Sequence, residues 1–251
     1  MRGMVLAELT KLRRSSLWIV AVVLPLLAVI TGTVNYDGNQ ETLSSGWSPY
    51  WSQVVLFYSL FFMSMGIAVM ASAAWRMEHR GHNWNLLMAT PARSFGIVGA
   101  KLAALALMVS AMQFVLLSLM VLTGRLVLGL DGWPPWHSVA AALLGVVAAL
   151  PVVALQSGLS MLIRSFAAPV ALGLLGCVAG VGVLLSGVGG VLPHLVPQAL
   201  VSMTLNLGGT ALSDSGGLDL PTVTAIVAAS LSSTLLLWVL GATALHRRDV
   251  R

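Results

Sequence analysis

The chain alternates long apolar stretches with short polar ones. Six predominantly apolar segments cover residues 17–34, 53–75, 95–123, 138–163, 167–192 and 222–245. Each is near or above the roughly 20 residues with which a helix crosses a bilayer core. Their Leu, Val and Ala show no sustained alternation of period two, which disfavours a membrane barrel. The pattern predicts an all-α integral membrane protein with six transmembrane helices in one domain, residues 1–251.

The first apolar segment follows Arg13 and Arg14, a context that weakly resembles a secretory signal. This segment is long enough to span, contains Pro25 and is followed by no obvious cleavage site with small residues. We therefore expect a retained first span.

Charge orients the predicted helices. Only 8% of the residues are charged, against about 25% in soluble domains, and the mean hydropathy is +0.93. All but one of the 13 Lys and Arg residues lie in the N-terminus, alternate loops or the C-terminus, and Arg125 is the exception. This positive-inside distribution predicts a multi-pass protein of the bacterial cell membrane with both termini in the cytoplasm. The excess of basic residues suits anionic lipid, and we expect no nucleic-acid partner.

Two segments outside the spans have helical signals. In residues 3–15, Val5, Leu9 and Leu12 share one face, which predicts an elbow helix lying in the membrane interface. A basic N-terminal flank without this helix is the alternative. Residues 193–208 are too short and too interrupted by proline to span, and predict a short re-entrant helix on the outer side.

Aromatic and small residues suggest further packing. Trp47, Tyr50 and Trp51 precede the second span, where they predict an aromatic belt at the outer interface. The fifth span has small residues at Gly173, Gly176 and Gly180. Small residues let helices approach closely in lipid, either within one chain or between two chains of a dimer.

Few residues support catalysis. The sequence contains no phosphate-binding loop of the Walker A type, so the chain does not hydrolyse ATP through one. The uncharged interiors of the spans offer Gln113 and Gln156, and the outer segment offers Asn206. These amides either bond to neighbouring helices or line a substrate cleft. His79 and His82 with Glu78 form an incomplete ligand set, so we expect no metal site.

A mixed-charge segment, residues 76–93, separates the second and third spans. Its residues Trp84, Leu87 and Met88 share one helical face, and Thr90-Pro91 ends the helix. The pattern predicts a short amphipathic helix over residues 78–90 on the cytoplasmic side, with a docking face for a soluble partner. An amphipathic loop resting on lipid is the alternative.

Two motifs carry a resemblance to a known family. The first is Glu8-x-x-Lys11-x-x-Arg14, and the second runs through Glu78-His79-Arg80, Trp84-x-x-Leu87-Met88-x-Thr90-Pro91, Arg93 and Lys101. With six spans, the chain resembles the ABC-2 type transporter permeases. Within them it is most similar to the small lantibiotic-immunity and antimicrobial-peptide or multidrug exporter permeases.

The resemblance implies partners and roles. Residues 78–90 would be the coupling helix, which docks on a separate cytoplasmic ABC ATPase, itself a dimer that binds ATP and magnesium. No cofactor is then expected in this chain. A second permease chain, identical or homologous, would complete the transporter. The expected ATPase-coupling residues are Glu78, His79, Arg80, Trp84, Leu87, Met88 and Arg93, with the elbow residues Glu8, Lys11 and Arg14.

The leading hypothesis is thus a membrane subunit of an ATP-driven exporter that moves an amphiphile outward by alternating access and confers antibiotic resistance. The amphiphile would be a peptide antibiotic, a drug or a lipid-like compound. The alternative is a non-transporting scaffold or sensor subunit. A membrane enzyme is a third reading, for which Gln113, Gln156 and Asn206 are a thin set.

Overall fold

The computed structural model describes residues 2–13, 15–81, 83–89, 92–187, 190–209 and 217–249. In these ranges all regular structure is helical, and no strand occurs. Six helices are long and apolar enough to cross a membrane. The predicted all-α class with six candidate spans is therefore confirmed.

The helices follow one another in this order: α1 Arg2–Arg13, α2 Leu17–Gly38, α3 Trp47–Phe57, a π-helical segment Tyr58–Phe62, α4 Met63–His79, α5 Asn83–Met88, α6 Ser94–Leu126, α7 Trp136–Leu162, α8 Ala167–Leu185, α9 Leu192–Leu195, α10 Pro197–Leu205 and α11 Leu220–Asp249. The six candidate spans are α2, the continuous run from α3 through α4, and α6, α7, α8 and α11. The α3–α4 run and α7 are the most deeply buried of these, while α8 and α11 are largely exposed.

The fifth span is shorter than predicted. The sequence predicts residues 167–192, but α8 ends at Leu185. Gly187 follows with a φ of 65°, in the left-handed region that glycine adopts readily. The apolar composition continues past this turn, so hydropathy alone placed the end of the span too late.

The predicted re-entrant segment, residues 193–208, consists of two short helices. Helix α9 ends at Leu195, and α10 begins at Pro197 after an extended Val196. Proline disfavours helical backbone at the residue before it, which explains the break. Helix α10 packs against α7 and α8 and is mostly buried. Its entry into the membrane, like the interfacial position of α1, stays a prediction.

The aromatic residues before the second span pack inside the bundle, and their position at the outer membrane interface stays a prediction. Trp47, Tyr50 and Trp51 lie inside α3 and are at most 7% exposed. The Trp47 indole donates a hydrogen bond to the carbonyl oxygen of Asp131, 2.8 Å away, and the Tyr50 hydroxyl lies 3.0 Å from that of Thr33. The second span therefore begins at Trp47, before the predicted residue 53, and these rings join α3 to its neighbours.

Helices α2 and α3 approach most closely at Gly32. A Cβ atom at this position would lie 2.5 Å from the Cα atom of Val54 and 2.7 Å from its backbone nitrogen. Backbone atoms cannot rotate away as a side chain can, so only glycine permits this crossing. The α2–α3 hairpin depends on it.

We predict that Gly32→Ala lowers the melting temperature of the protein in detergent, with a loss of about 1–3 kcal/mol from overpacking. Gly38→Ala, in the same helix, is the control because a Cβ there meets nothing within 4 Å. Thermal unfolding followed by tryptophan fluorescence measures both variants. Equal melting temperatures for the two would show that the close approach is absent.

Candidate functional site

Several helices and helix ends that carry Lys and Arg residues meet at one end of the bundle, which we call the basic end. It comprises α1, α5 and the adjoining ends of α4, α6, α7 and α11. Trp75, Ile97, Val98, Met161 and Leu245 form a buried cluster there, and Trp84, Leu87 and Ala92 pack against it. The short connection between α4 and α6 is therefore held on the bundle by apolar contacts.

Four charged side chains form an ion cluster at this end. The Lys101 ammonium lies 2.6 Å from Glu8 Oε2 and 2.9 Å from Glu78 Oε1. The Lys11 ammonium lies 2.8 Å from Glu8 Oε1 and 2.7 Å from Glu78 Oε1. Each carboxylate thus contacts both lysines, and the cluster has no net charge. It joins α1, α4 and α6.

The ion cluster is largely removed from solvent. Lys101 is 0% exposed, and the side chains of Glu8 and Glu78 are 9% and 5% exposed. The Lys101 ammonium also lies 4.9 Å from the centre of the Trp75 ring and 3.4 Å from the carbonyl oxygen of Ala74. A buried ammonium requires such paired charges and acceptors, because its desolvation is otherwise very costly.

Lys11 is the most exposed member of the cluster. Burial alone would lower the pKa of Lys11, but hydrogen bonds to Glu78 and Glu8, together with their charges, raise it above its ordinary value of 10.5. Because the pKa of Lys11 is higher in the folded protein than in the unfolded chain, protonated Lys11 stabilises the fold. This stabilisation is fully present below pH 10.5 and is lost as pH rises through the raised pKa.

Helix α5 is fastened to the end of α4 by stacked rings. The Trp84 indole stacks on the His79 imidazole, with centroids 5.0 Å apart and an interplanar angle of 12°. The Trp84 ring also lies 6.5 Å from that of Trp75. His79 Nε2 donates a hydrogen bond to the carbonyl oxygen of Ser160, 3.1 Å away, which adds a link to α7.

A comparison with known families covers most of this site. A model described as ABC-2 family transporter protein matches residues 4–180 of the chain. The chain belongs to the ABC-2 family. None of the curated proteins matches it. The match contains the ion cluster and α5, and it ends within α8. Members of this family are the membrane permeases of ABC transporters, so the chain is a multi-pass membrane permease and not itself the catalytic subunit.

Several residues of the permease that were predicted to contact the ATPase face its own helix bundle instead. Trp84 and Leu87 pack on the bundle's own cluster at the basic end, and Glu78 is only 3% exposed within the ion cluster. Arg80 and Arg93 are exposed as expected of docking residues. Among the side chains of α5 that the structure describes, the exposed apolar one is Leu86, at 66%. Periodicity pointed to Trp84 and Leu87 and not to Leu86, because it identifies the apolar face of a helix without saying whether that face packs on the protein or on a partner.

Some predicted residues lie outside the described part of the chain. These are the elbow residue Arg14 and, in the connection between α4 and α6, His82, Thr90 and Pro91. Met88 belongs to α5, but its side chain is not described. Among the residues that the structure does describe, no group of three or more His, Cys, Asp or Glu side chains could hold a metal ion.

The three predicted cleft amides are buried at different places. The Tyr58 hydroxyl donates to Gln113 Oε1 at 3.1 Å, and Asn206 Nδ2 donates to Ser59 Oγ at 2.9 Å. Tyr58 and Ser59 both belong to the π-helical segment, so Gln113 and Asn206 both bond to the same irregular turn. Gln156 lies apart from them, beside Gly173 and Ala68. Their role in a cleft stays a prediction.

The predicted small residues of α8 pack within the chain. A Cβ at Gly173 would lie 2.7 Å from the Ala68 Cβ, and one at Gly180 would lie 2.9 Å from the Gln198 Cβ. Gly176 faces the Gln198 amide. This glycine face is therefore occupied by α4, α7 and α10 of the same chain.

We predict that Lys101→Met lowers the melting temperature strongly, by a loss of about 3–5 kcal/mol, because two buried carboxylates then share only Lys11. The double variant Lys101→Met with Glu78→Gln restores neutrality and should recover part of the loss. Arg93→Met removes an exposed charge and is the control, with an expected change within about 0.5 kcal/mol. Thermal unfolding in detergent measures all three, and a Lys101→Met variant as stable as Arg93→Met would contradict the ion cluster.

Proposed function

We propose that the chain is the membrane-spanning subunit of an ATP-driven exporter that moves an amphiphilic substrate outward. One observation supports this most directly. The ion cluster and the Trp84–His79 stack connect α5, which has an exposed outer side, to α1, α4 and α6. In an ABC-2 permease, such a connection suits a surface on which a separate ATPase acts.

The orientation follows from charge. The basic end carries most of the Lys and Arg residues, and the positive-inside rule assigns it to the cytoplasm of a bacterial cell. Both chain termini are then cytoplasmic, and α5 faces the compartment that supplies ATP. The ATP and magnesium are bound by the partner ATPase, a dimer that serves two permease chains.

The docking surface is the outer side of α5 with the exposed arginines beside it. Leu86 supplies an apolar contact, and Asn85 is exposed next to it. Arg80 and Arg93 flank this contact and suit acidic groups of the partner. Trp84 and Leu87 face the other way, so they pass a displacement of α5 inward instead of binding the ATPase.

A displacement then reaches the spans through two kinds of contact. Trp84 stacks on His79 at the end of α4, so α4 follows α5. Glu78 of α4 is paired with Lys101 of α6 and Lys11 of α1, so these helices follow α4. Alternating access results when this unit moves against the remaining helices and the second permease chain.

The substrate is an amphiphile without a required charge. Outside the ion cluster, the buried polar side chains in the described residues are amides and hydroxyls, Gln113, Gln156 and Asn206 among them. An environment of this kind suits a peptide antibiotic, a drug or a lipid-like compound taken from the membrane. Efflux of such compounds gives antibiotic resistance, and lantibiotic immunity is the form of it that the sequence motifs favour.

We predict that Leu86→Asp separates the permease from its ATPase, because it places a charge in an apolar contact. The permease is purified from its native membrane, the co-purifying Walker A protein is identified by mass spectrometry, and ATP hydrolysis of the complex is measured. Leu86→Asp should lose at least about tenfold in bound ATPase, equivalent to about 1.4 kcal/mol.

Val127→Asp is the matched control, since Val127 is also exposed, at 70%, but lies at the other end of α6. It should keep the ATPase. A wild-type complex with no ATPase would favour the scaffold or sensor alternative. A Leu86→Asp complex with unchanged ATPase content and activity would move the docking surface away from α5.

A further inference from the structure

Helix α8 is joined to its own chain by a narrow face, which we call the glycine seam. The buried residues of α8 are Pro169, Gly173, Cys177 and Gly180. The neighbours across the seam are Ala68 of α4, Gln156 of α7 and Gln198 of α10. The rest of α8 is largely exposed, including Leu175 and Val178, each at 63%. The seam is thus the boundary between α8 and the centre of the bundle.

Gln156 is the unusual residue of the glycine seam. Its side chain is 0% exposed, and within the described residues neither Nε2 nor Oε1 has a hydrogen-bond partner. A carboxamide offers two donors and one acceptor oxygen. Leaving all of them unpaired in an apolar interior is destabilising.

Two other buried amides, Gln113 and Asn206, differ from Gln156. Gln113 accepts a hydrogen bond from Tyr58 through Oε1, and Asn206 donates two through Nδ2, to Ser59 and Ser202. Each therefore has a role in joining helices. Gln156 makes no such contact with the described residues, so its amide is available to a group that is not part of this packing.

The geometry directs the Gln156 amide toward α8. A Cβ atom at Gly173 would lie 2.9 Å from Gln156 Nε2, so the amide abuts the α8 backbone where a larger residue could not fit. Because the seam residues of α8 are small, no side chain stands between the Gln156 amide and the α8 backbone. A displacement of α8 would therefore open a gap lined by the Gln156 amide.

We propose that the glycine seam is a lateral binding site in which Gln156 holds an uncharged amide group of an apolar molecule. Gln156 Nε2 donates to the carbonyl oxygen of the bound amide, and Gln156 Oε1 accepts from its N–H. No charged side chain of the described residues lies in the seam to pair with an ion. Binding of the amide does not depend on the proposed export function. The further statement that the bound amide belongs to the substrate rests on that function.

Photocrosslinking of the full-length permease in lipid nanodiscs tests the site without an ATPase. The probe is dodecanamide with a diazirine in its chain, and labelled peptides are identified by mass spectrometry. Labelling should fall on α8 and on the facing parts of α4 and α7. Excess dodecanamide should compete, while tridecane, which lacks a polar group, should not.

Gln156→Leu should weaken the competition by dodecanamide about tenfold, as expected from the loss of two neutral hydrogen bonds. An uncharged dipeptide amide, acetyl-Leu-Leu-amide, is tested as a second competitor. Whether it or dodecanamide reduces the labelling more shows whether the site prefers a peptide amide or a lipid amide. Labelling outside the seam, or competition by dodecanamide that is unchanged in Gln156→Leu, would overturn the proposal.

Stability gives a second and independent measurement. Gln156→Leu should leave the melting temperature equal or raise it, because it removes an unpaired buried amide. Gln113→Leu is the matched variant, and it should lower the melting temperature since Tyr58 loses its acceptor. A drop for Gln156→Leu as large as that for Gln113→Leu would show that the Gln156 amide has partners in the bundle, which would refute the site.

The two proposals fail separately. Loss of the ATPase contact at α5 would leave amide binding at the seam intact. Absence of amide binding would leave the permease assembled with its ATPase.

Discussion

The buried ammonium of Lys101 is the constraint on which the basic end depends. A cation that is 0% exposed needs counter-charges at fixed positions. The two carboxylates come from different helices, Glu8 of α1 and Glu78 of α4, while Lys101 itself belongs to α6. Lys11 then offsets the second negative charge. The ion cluster thus joins α1, α4 and α6 at the basic end.

Helix α5 shows how the rest of the basic end uses this connection. A helix of six residues is far too short to be stable alone. It is held because Trp84 stacks on His79 and packs near Trp75, and Trp75 in turn lies against the Lys101 ammonium. Trp75 thus takes part in both the aromatic and the ionic contacts. The basic end is joined by both kinds of contact, whereas the buried residues of α8 are the small ones of its glycine face.

The sequence was a good guide to the spans because lipid requires every backbone group to be bonded within a helix, which makes apolar length diagnostic. It was a poor guide to where helices end. Hydropathy could not reveal the turn at Gly187 or the burial of Trp51, since both depend on local backbone or neighbouring helices. All four members of the ion cluster stood in the recognised motifs, yet their pairing was not predicted. Lys101 and Glu8 are far apart in the chain, and only the packing of α1 on α6 brings them together. An isolated lysine at the start of an apolar span was the available signal.

Two buried polar side chains of this bundle, Lys101 and Gln156, differ in how many partners the packing gives them. Lys101 carries the larger cost of burial, and its ammonium contacts two carboxylates, a carbonyl oxygen and a ring that offset this cost. Gln156 carries a smaller cost, and the described residues offset none of it. An apolar side chain of similar size would give a more stable bundle at this position. Structural stability therefore accounts for Lys101, whereas the unpaired Gln156 amide fits the proposed site, in which α8 has moved and the amide is bonded to another molecule.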